Sequence, residues 1–283
     1  MLLTTSQNVG GLLPEEWGQL LVEPVQAAAL AMRPEVVTLV NTASHTFHIP
    51  VVNTDAASAW VAEGAEISPS DPAISELIVT PPKVAGLVVI SSELASDSSP
   101  AAAEVVGNSL ARSIAANVDA AFFGSLYAPA PAGLGSLTNA SVSRIAAGTT
   151  PTNLDAFAAA LAAVEQDGAQ VTAFCANPAD ALTIAQLKTA TGANSPLLGT
   201  DATNGTARQI LGVPLLVSPK ISAGTIWGVA AARNFTVLRT DVQVVADASA
   251  FFTSDRVAVR ATMRVGFGFP TPRAVAKIAF SAS

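Results

Sequence analysis

The stretch Arg256-Val257-Ala258-Val259-Arg260-Ala261-Thr262-Met263-Arg264-Val265-Gly266-Phe267-Gly268-Phe269-Pro270-Thr271-Pro272-Arg273-Ala274 reads as one long strand with a proline-punctuated exit. Val257, Val259, Ala261, Met263, Val265, Phe267 and Phe269 alternate with Arg256, Ala258, Arg260, Thr262 and Arg264. Period-two alternation of this length predicts a strand with one buried face and one polar face. Arg256, Arg260 and Arg264 form a row on the polar face. Three readings of that row are open: pairing with acids of the same chain, contact with a neighbouring chain, or a basic strip on nucleic acid.

Upstream, Ile210–Val217 and Thr225–Val229 read as strands, and the first contains Leu211-Gly212-Val213-Pro214. Asn204-Gly205 is a turn signal. Asn153 caps a predicted helix with Leu154, Phe157, Leu161 and Val164 inward, which Gly168 ends. A buried strand over 171–175 follows. Asn177-Pro178 is an N-cap and N1 pair opening a second helix that is expected to run to Gly192. Residues 125–150 form a connection rich in Gly, Pro, Ser and Asn.

Further upstream, Asp97-Ser98-Ser99-Pro100 is a helix start. Val106, Leu110, Ile114, Val118 and Phe122 then recur at i,i+4 and give one apolar stripe. Gly124 is the expected stop. At 1.5 Å per residue such a helix is on the order of 35 Å long, a strut rather than a site. Thr46–Asn53 and Ser75–Ser92 read as the two arms of a hairpin, with Asp55, Trp60, Glu63, Glu66 and Asp71 between them. The second arm is apolar on both faces and broken by Pro81-Pro82. A two-sided apolar hairpin invites pairing with another chain. A buried central strand is the other reading, and the proline doublet argues against it, because proline donates no ladder bond. Leu77, Val79, Leu87 and Val89 are therefore expected to be covered by a neighbouring chain. Residues 1–44 read as an arm with little core of its own, with a short helix around Trp17–Ala31.

Composition sharpens this picture. Half of the 283 residues are apolar, yet only 12% are charged, about half the usual ~25%. So little charge means either a surface covered by something else or simply an alanine-rich sequence. The net charge of −7 argues against a tight nucleic-acid binder. Cys175 is the only cysteine, so no intrachain disulfide forms, and its apolar context reads as core. The first basic side chain is Arg33, so no secretory n-region is expected. The uncharged span Ala120–Ser143 holds Gly124, Pro129, Pro131, Gly133 and Gly135 and reads as loop rather than membrane helix. A soluble protein made in a cytoplasm is expected.

Catalytic chemistry is sparse. His45 and His48, the only histidines, lie on a predicted strand three residues apart and so point to opposite faces. A zinc site needs more ligands than they offer. There is no G-x-S-x-G elbow, no G-x-x-x-x-G-K-[ST] loop and no G-x-G-x-x-G opening a helix. No carboxylate pair stands out. The expectation is no catalytic residue, no cofactor and no metal.

Four segments, in order, resemble the major capsid proteins of tailed phages. They are Trp60-Val61-Ala62-Glu63-Gly64, the helix block Glu93–Gly124, Leu211-Gly212-Val213-Pro214, and the strand from Arg256 into Pro270-Thr271-Pro272-Arg273-Ala274. The resemblance implies an α+β fold of the Hong Kong 97 type. It divides the chain into an N-terminal arm (1–44), an extended E-loop (45–92), a P-domain with spine helix and returning strand (93–149 and 239–283), and a mixed α/β A-domain (150–238). It implies a shell subunit that self-associates into hexamers and pentamers, works with a separate scaffolding protein or none, meets a portal and in some members a decoration protein, and touches packaged DNA weakly. It places the protein in the virion, after assembly in the host cytoplasm, with no membrane partner. Trp60, Glu63, Leu77, Val79, Lys83, Leu87, Arg256, Arg260 and Arg264 become candidate inter-subunit contacts. Some members crosslink an E-loop lysine to a neighbour's asparagine. Lys83 is the only lysine in 45–92, and no asparagine follows Asn234, so this chain departs from that pattern. An encapsulin-type compartment shell and, from another class, a soluble hydrolase are the competing readings.

Overall fold

A strip of valines and isoleucines on one side of a helix needs an apolar sheet to lie on, and the returning strand supplies it. The computed structural model describes residues 29–64, 66, 68–91, 101–148, 151–190, 194–198, 208–247 and 249–280. Helix α1 (Ala101–Phe123) buries Leu110, Ile114, Val118 and Phe122, with Val106 half-buried. The expected cap at Asp97–Pro100 lies outside the described residues. The stripe packs across a four-stranded sheet of order β1-β10-β11-β4, formed by β1 (Thr38–Asn41), β10 (Phe235–Asp247), β11 (Arg256–Gly268) and β4 (Lys83–Ser91). Val259, Ala261, Met263, Val265 and Phe267 all enter this core from β11, as their alternation requires. At its end Phe122 meets Phe123, Phe267 and Phe269 with ring centroids 4.9, 5.0 and 5.7 Å away.

The glycines after the helix have a steric reason. The Gly124 N–H donates to the Ala120 carbonyl at 3.0 Å, and the Gly135 N–H donates to the Gly124 carbonyl at 3.1 Å. A Cβ at Gly133 would stand 1.9 Å from the Ala121 carbonyl oxygen. The loop can fold back over the helix end only without side chains there.

The hairpin differs from its sequence expectation. Strand β2 (Phe47–Thr54) pairs antiparallel with β3 (Ala73–Val79), but the chain then leaves the hairpin at Pro81-Pro82. Residues 83–91 are β4, an edge strand of the four-stranded sheet, antiparallel to β11. The prolines cannot donate, and here they only accept: the Val265 N–H bonds the Pro82 carbonyl at 3.2 Å. Val84, Val88 and Ile90 pack on the main core of the same chain.

The segment 29–41 also joins that core instead of standing apart. Ala29, Leu30, Ala31, Met32, Val36 and Val37 are buried in it, and β1 runs parallel to β10. Thr236 Oγ1 donates to the Ala31 carbonyl at 2.7 Å, across 205 residues of sequence. Leu30–Met32 is a single 3-10 turn, and the rest of the expected helix from Trp17 lies outside the described residues.

The second layer is a six-stranded sheet of order β5-β12-β9-β6-β8-β7. Its strands are β5 (Ser143–Ala146), β6 (Ala173–Ala176), β7 (Gln209–Ile210), β8 (Val213–Val217), β9 (Thr225–Val229) and β12 (Ala276–Ala279). Strand β6 is buried on both faces. Ala173 and Cys175 face the main core, while Phe174 and Ala176 face a second core built with helices α2 (Asp155–Gln166) and α3 (Pro178–Ala185). Phe157 of α2 meets Phe174 edge-on at 5.2 Å. Helix α3 stops at Ala185, well before Gly192, because the backbone after it turns to other partners. Leu187 N–H bonds the Ile184 carbonyl, Thr189 N–H bonds the Ser195 carbonyl, and Leu197 N–H returns to the Leu187 carbonyl at 2.7 Å. Leu211 and Gly212 form the two-residue turn between β7 and β8, both at positive φ (51° and 82°), as a type I′ turn requires. No helix among the described residues is long and apolar enough to cross a membrane.

Candidate functional site

The surface features are larger than any buried chemistry. The hairpin base is fixed to its own chain: Ile49, Val79 and Val237 are buried together, with Phe47, Leu77 and Phe235 around them. This corrects the expectation for Val79. It is 4% exposed because its own subunit covers it, and a neighbouring chain has no access to it. Leu77 is half-buried in the same cluster. Toward the free end the picture reverses. Val52 and Ile74 are exposed, and the tip carries a fully exposed Trp60 with Asp55, Glu63, Glu66 and Asp71, all in solvent.

The open face of the four-stranded sheet gathers most of the other candidates. Directly opposite residues on adjacent strands share a face. Arg260 lies opposite Leu87 on one side and Val245 on the other, and Arg264 lies opposite Lys83 and Thr240. Leu87 is 60% exposed and Val245 41%. The sheet thus brings Lys83, Leu87, Arg256, Arg260 and Arg264 onto one face, basic and partly apolar. The Ser249 hydroxyl and N–H hold the Asp247 carboxyl below the usual carboxylate range, with a smaller pull from Arg260. Arg260 therefore also feels an acid of its own chain.

A cavity of about 390 Å³ opens between α1, the start of β4 and the loop 126–131. Pro82, Lys83, Val118, Ala121, Leu126 and Tyr127 are among the residues that line it. Tyr127 is 94% exposed. Sequence reading passed over this loop as a connection. Its one signal was an exposed-type aromatic, the only tyrosine, among prolines.

One buried carboxylate was also missed. Asp119 Oδ1 accepts from the Ala31 N–H at 3.0 Å, and Oδ2 accepts from the Ser218 hydroxyl at 2.9 Å. Burial raises its pKa against those bonds. It ties the 29–37 segment, the long helix and the strand layer at one point. Its signal in the sequence was an acid beside the apolar stripe, flanked at i±4 by Ala115 and Phe123.

Among the described residues, the two histidines and the cysteine form no nucleophile–base pair. Burial, and then the Asp119 charge, push the Cys175 thiol far up, so the thiolate is suppressed. His48 Nδ1 meets Glu76 Oε1 at 2.6 Å on the exposed hairpin, while His45 Nδ1 meets Arg239 Nη1 at 3.2 Å elsewhere. Among the described residues no cluster of three or more His, Cys, Asp or Glu could hold a metal ion.

A sequence profile of the phage capsid family matches residues 9–280. The chain belongs to the phage capsid family. Its fold is similar to that of the capsid of a native GTA particle computed with C5 symmetry, at 22% identity and TM-score 0.71, covering 100% of this chain and 96% of that one. It is also similar to chains from Microbacterium phage Oxtober96 (20% identity, TM-score 0.74, 89% and 90% covered) and Mycobacterium phage Adephagia (18%, 0.73, 92% and 90%). No curated protein sequence matches it. This phage capsid protein is thus an α+β structural protein of the Hong Kong 97 type, the major subunit of a phage head. The comparisons give no support to the compartment-shell or hydrolase readings.

Proposed function

We propose that this capsid protein assembles through hexamers and pentamers into the icosahedral head that encloses phage double-stranded DNA, and that it has no catalytic activity. Residues 1–44 act as the arm, 45–92 as the E-loop, 93–149 with 239–283 as the P-domain, and 150–238 as the A-domain. The observation that carries this is the hairpin, whose base is anchored by Ile49 and Val79 and whose tip leaves Trp60 wholly in solvent. A lone subunit gains nothing from holding an indole and four carboxylates on a projecting hairpin. A shell subunit gains contacts that multiply around a ring.

The tip residues Trp60 and Glu63 and the face residues Lys83, Leu87, Arg256, Arg260 and Arg264 are the contact set, with Leu77 at the border of hairpin and core. A separate scaffolding protein, a portal and a decoration protein are further partners. DNA touches the shell weakly, consistent with the net charge of −7. Assembly takes place in the host cytoplasm. Expressed protein, with a scaffold where needed, should sediment as capsomers or hollow particles visible by negative stain. A strictly monomeric protein under every assembly condition overturns the proposal.

A further inference from the structure

Both histidines of the chain stand at the root of the hairpin, and they make contacts of opposite kinds. We propose that they form a pH-sensitive hinge, in which acid releases the hairpin from β10 and at the same time stiffens it. The hinge stands on the subunit's own contacts. Its use, setting the direction of the hairpin within a head, rests on the shell-subunit reading.

Arg239 Nη1 lies 3.2 Å from His45 Nδ1. A guanidinium carries donors only, so Nδ1 is the acceptor and the ring is neutral, with its proton on Nε2. A second ring proton removes that acceptor and sets two positive charges side by side, so the contact is lost. His48 does the reverse. Its Nδ1 stands 2.6 Å from Glu76 Oε1 on the paired strand β3, so Nδ1 carries a proton. Its Nε2 meets Thr46 Oγ1 at 3.3 Å. A hydroxyl both donates and accepts, so Nε2 is satisfied with or without a proton. Protonation of His48 therefore keeps both contacts and makes the one to Glu76 a charge-assisted pair. Asp241 lines one cleft with Arg239, Asn41 and Thr42 and offers the freed guanidinium another partner. The next charged group along the sheet is Arg264, opposite Thr240 on β11, with the same sign as Arg239.

The backbone lets such a hinge turn. The Thr42 N–H bonds the Leu238 carbonyl at 2.9 Å, and beyond it residues 43–46 belong to no strand. On the return path Pro81 and Pro82 have no N–H to give. Ile49, Val79 and Val237 form an apolar pivot that no proton disturbs. Each polar contact is exposed, so the bias in one subunit is small. Identical hairpins around a ring receive the same bias together.

The test uses the full chain, unassembled, with nitroxide labels at Ala62→Cys and Ser113→Cys, both exposed positions. Cys175 is fully buried and takes no label. Going from about pH 8 to about pH 5.5, within the interval where histidine changes charge, should broaden the label-to-label distance distribution. His45→Gln keeps an acceptor for Arg239 at every pH, so its distribution should stay narrow throughout. His48→Gln should still broaden in acid, and Arg239→Ala should be broad at both pH values. Nitrogen NMR at about pH 8 should show His45 as the Nε2–H tautomer with Nδ1 bare. Distances that ignore pH in the unaltered chain, a broadening that survives His45→Gln, or a His45 proton on Nδ1 overturns the hinge. None of these touches the shell-subunit reading, which falls only if the unaltered chain forms no particle.

Discussion

A methyl group on Gly266 of β11 would stand 2.9 Å from Cγ1 of Val79 in the hairpin. The same methyl would be 3.1 Å from Cα of Pro81, which is backbone and cannot turn aside. Glycine at 266 therefore makes the floor on which the hairpin base stands. The strand's other face, carrying Val265 and Phe267, belongs to the main core.

Gly266→Val should destabilise the subunit by about 1–3 kcal/mol through overpacking. Gly268→Ala should cost less, because its nearest neighbour, at 2.8 Å, is Cδ1 of Ile49, the movable end of a side chain. Urea unfolding gives the size of the effect. Hydrogen exchange should show the loss first in 47–54 and 73–79.

Asp119→Ala leaves the Ala31 N–H buried without its acceptor and should cost about 1–3 kcal/mol. Asp119→Asn keeps an acceptor for Ala31 and places a donor against Ser218, so it should fold well. The pH dependence has a definite sign. The folded-state pKa is raised, so above the ordinary carboxylate range the folded chain holds a proton that the unfolded chain has lost. This group's contribution is therefore present at low pH and declines as pH rises through that window. Unfolding free energies of the unaltered chain relative to Asp119→Asn should fall from pH 4 toward neutrality. A gap that widens in favour of the unaltered chain over that range would refute it.

Phe122→Ala removes a fully buried ring with three aromatic neighbours and should cost about 3–5 kcal/mol. Calorimetry should show a lower Tm in the unassembled subunit. An unchanged Tm would mean that the helix end is not held by this cluster.

Leu87→Asp and Val79→Asp should behave differently. Leu87 is 60% exposed on the open sheet face, so its variant should keep a native circular dichroism spectrum and lose particle yield. Val79 is buried in its own subunit, and a carboxylate there should loosen the hairpin before any assembly step. Equal loss of folding in both would refute the assignment of Leu87 to a contact surface.

Strict periods were what the sequence displayed openly. The stripe from Val106 to Phe122 and the alternation from Val257 to Phe267 each follow a single rule over many residues, so helix and strand were both readable. Strand β10 was not, because its pairing with β11 shifts between Leu238, Thr240 and Gln243. Before the shift Thr236, Val237 and Leu238 are buried in succession, and after it burial alternates, so no one period runs through it. Strands β5 and β12 are four residues each, too short to show any. Residues 83–91 do alternate in burial, but apolar Leu87 and Val89 occupy the open face, which hid the alternation and made β4 look like part of the hairpin. The surface features were legible only in part. Arginines at every fourth position of a strand announce a row, whereas the cavity beside Tyr127 needs three separate segments brought together.

Strand β12 is wedged between β5, some 130 residues earlier by the Ser143–Arg273 bond, and β9, while β1 closes on β10 across a similar or greater span. Such distant pairings make folding slow and late. On the ribosome, the central strands of the six-stranded sheet stay open until residues 276–279 have emerged. The hairpin base is likewise without its floor until Gly266 and Gly268 have been synthesised. A nascent chain consequently cannot present a correctly aimed hairpin to a neighbour. Translation itself orders the events: the fold closes first, and recruitment into a growing lattice comes after.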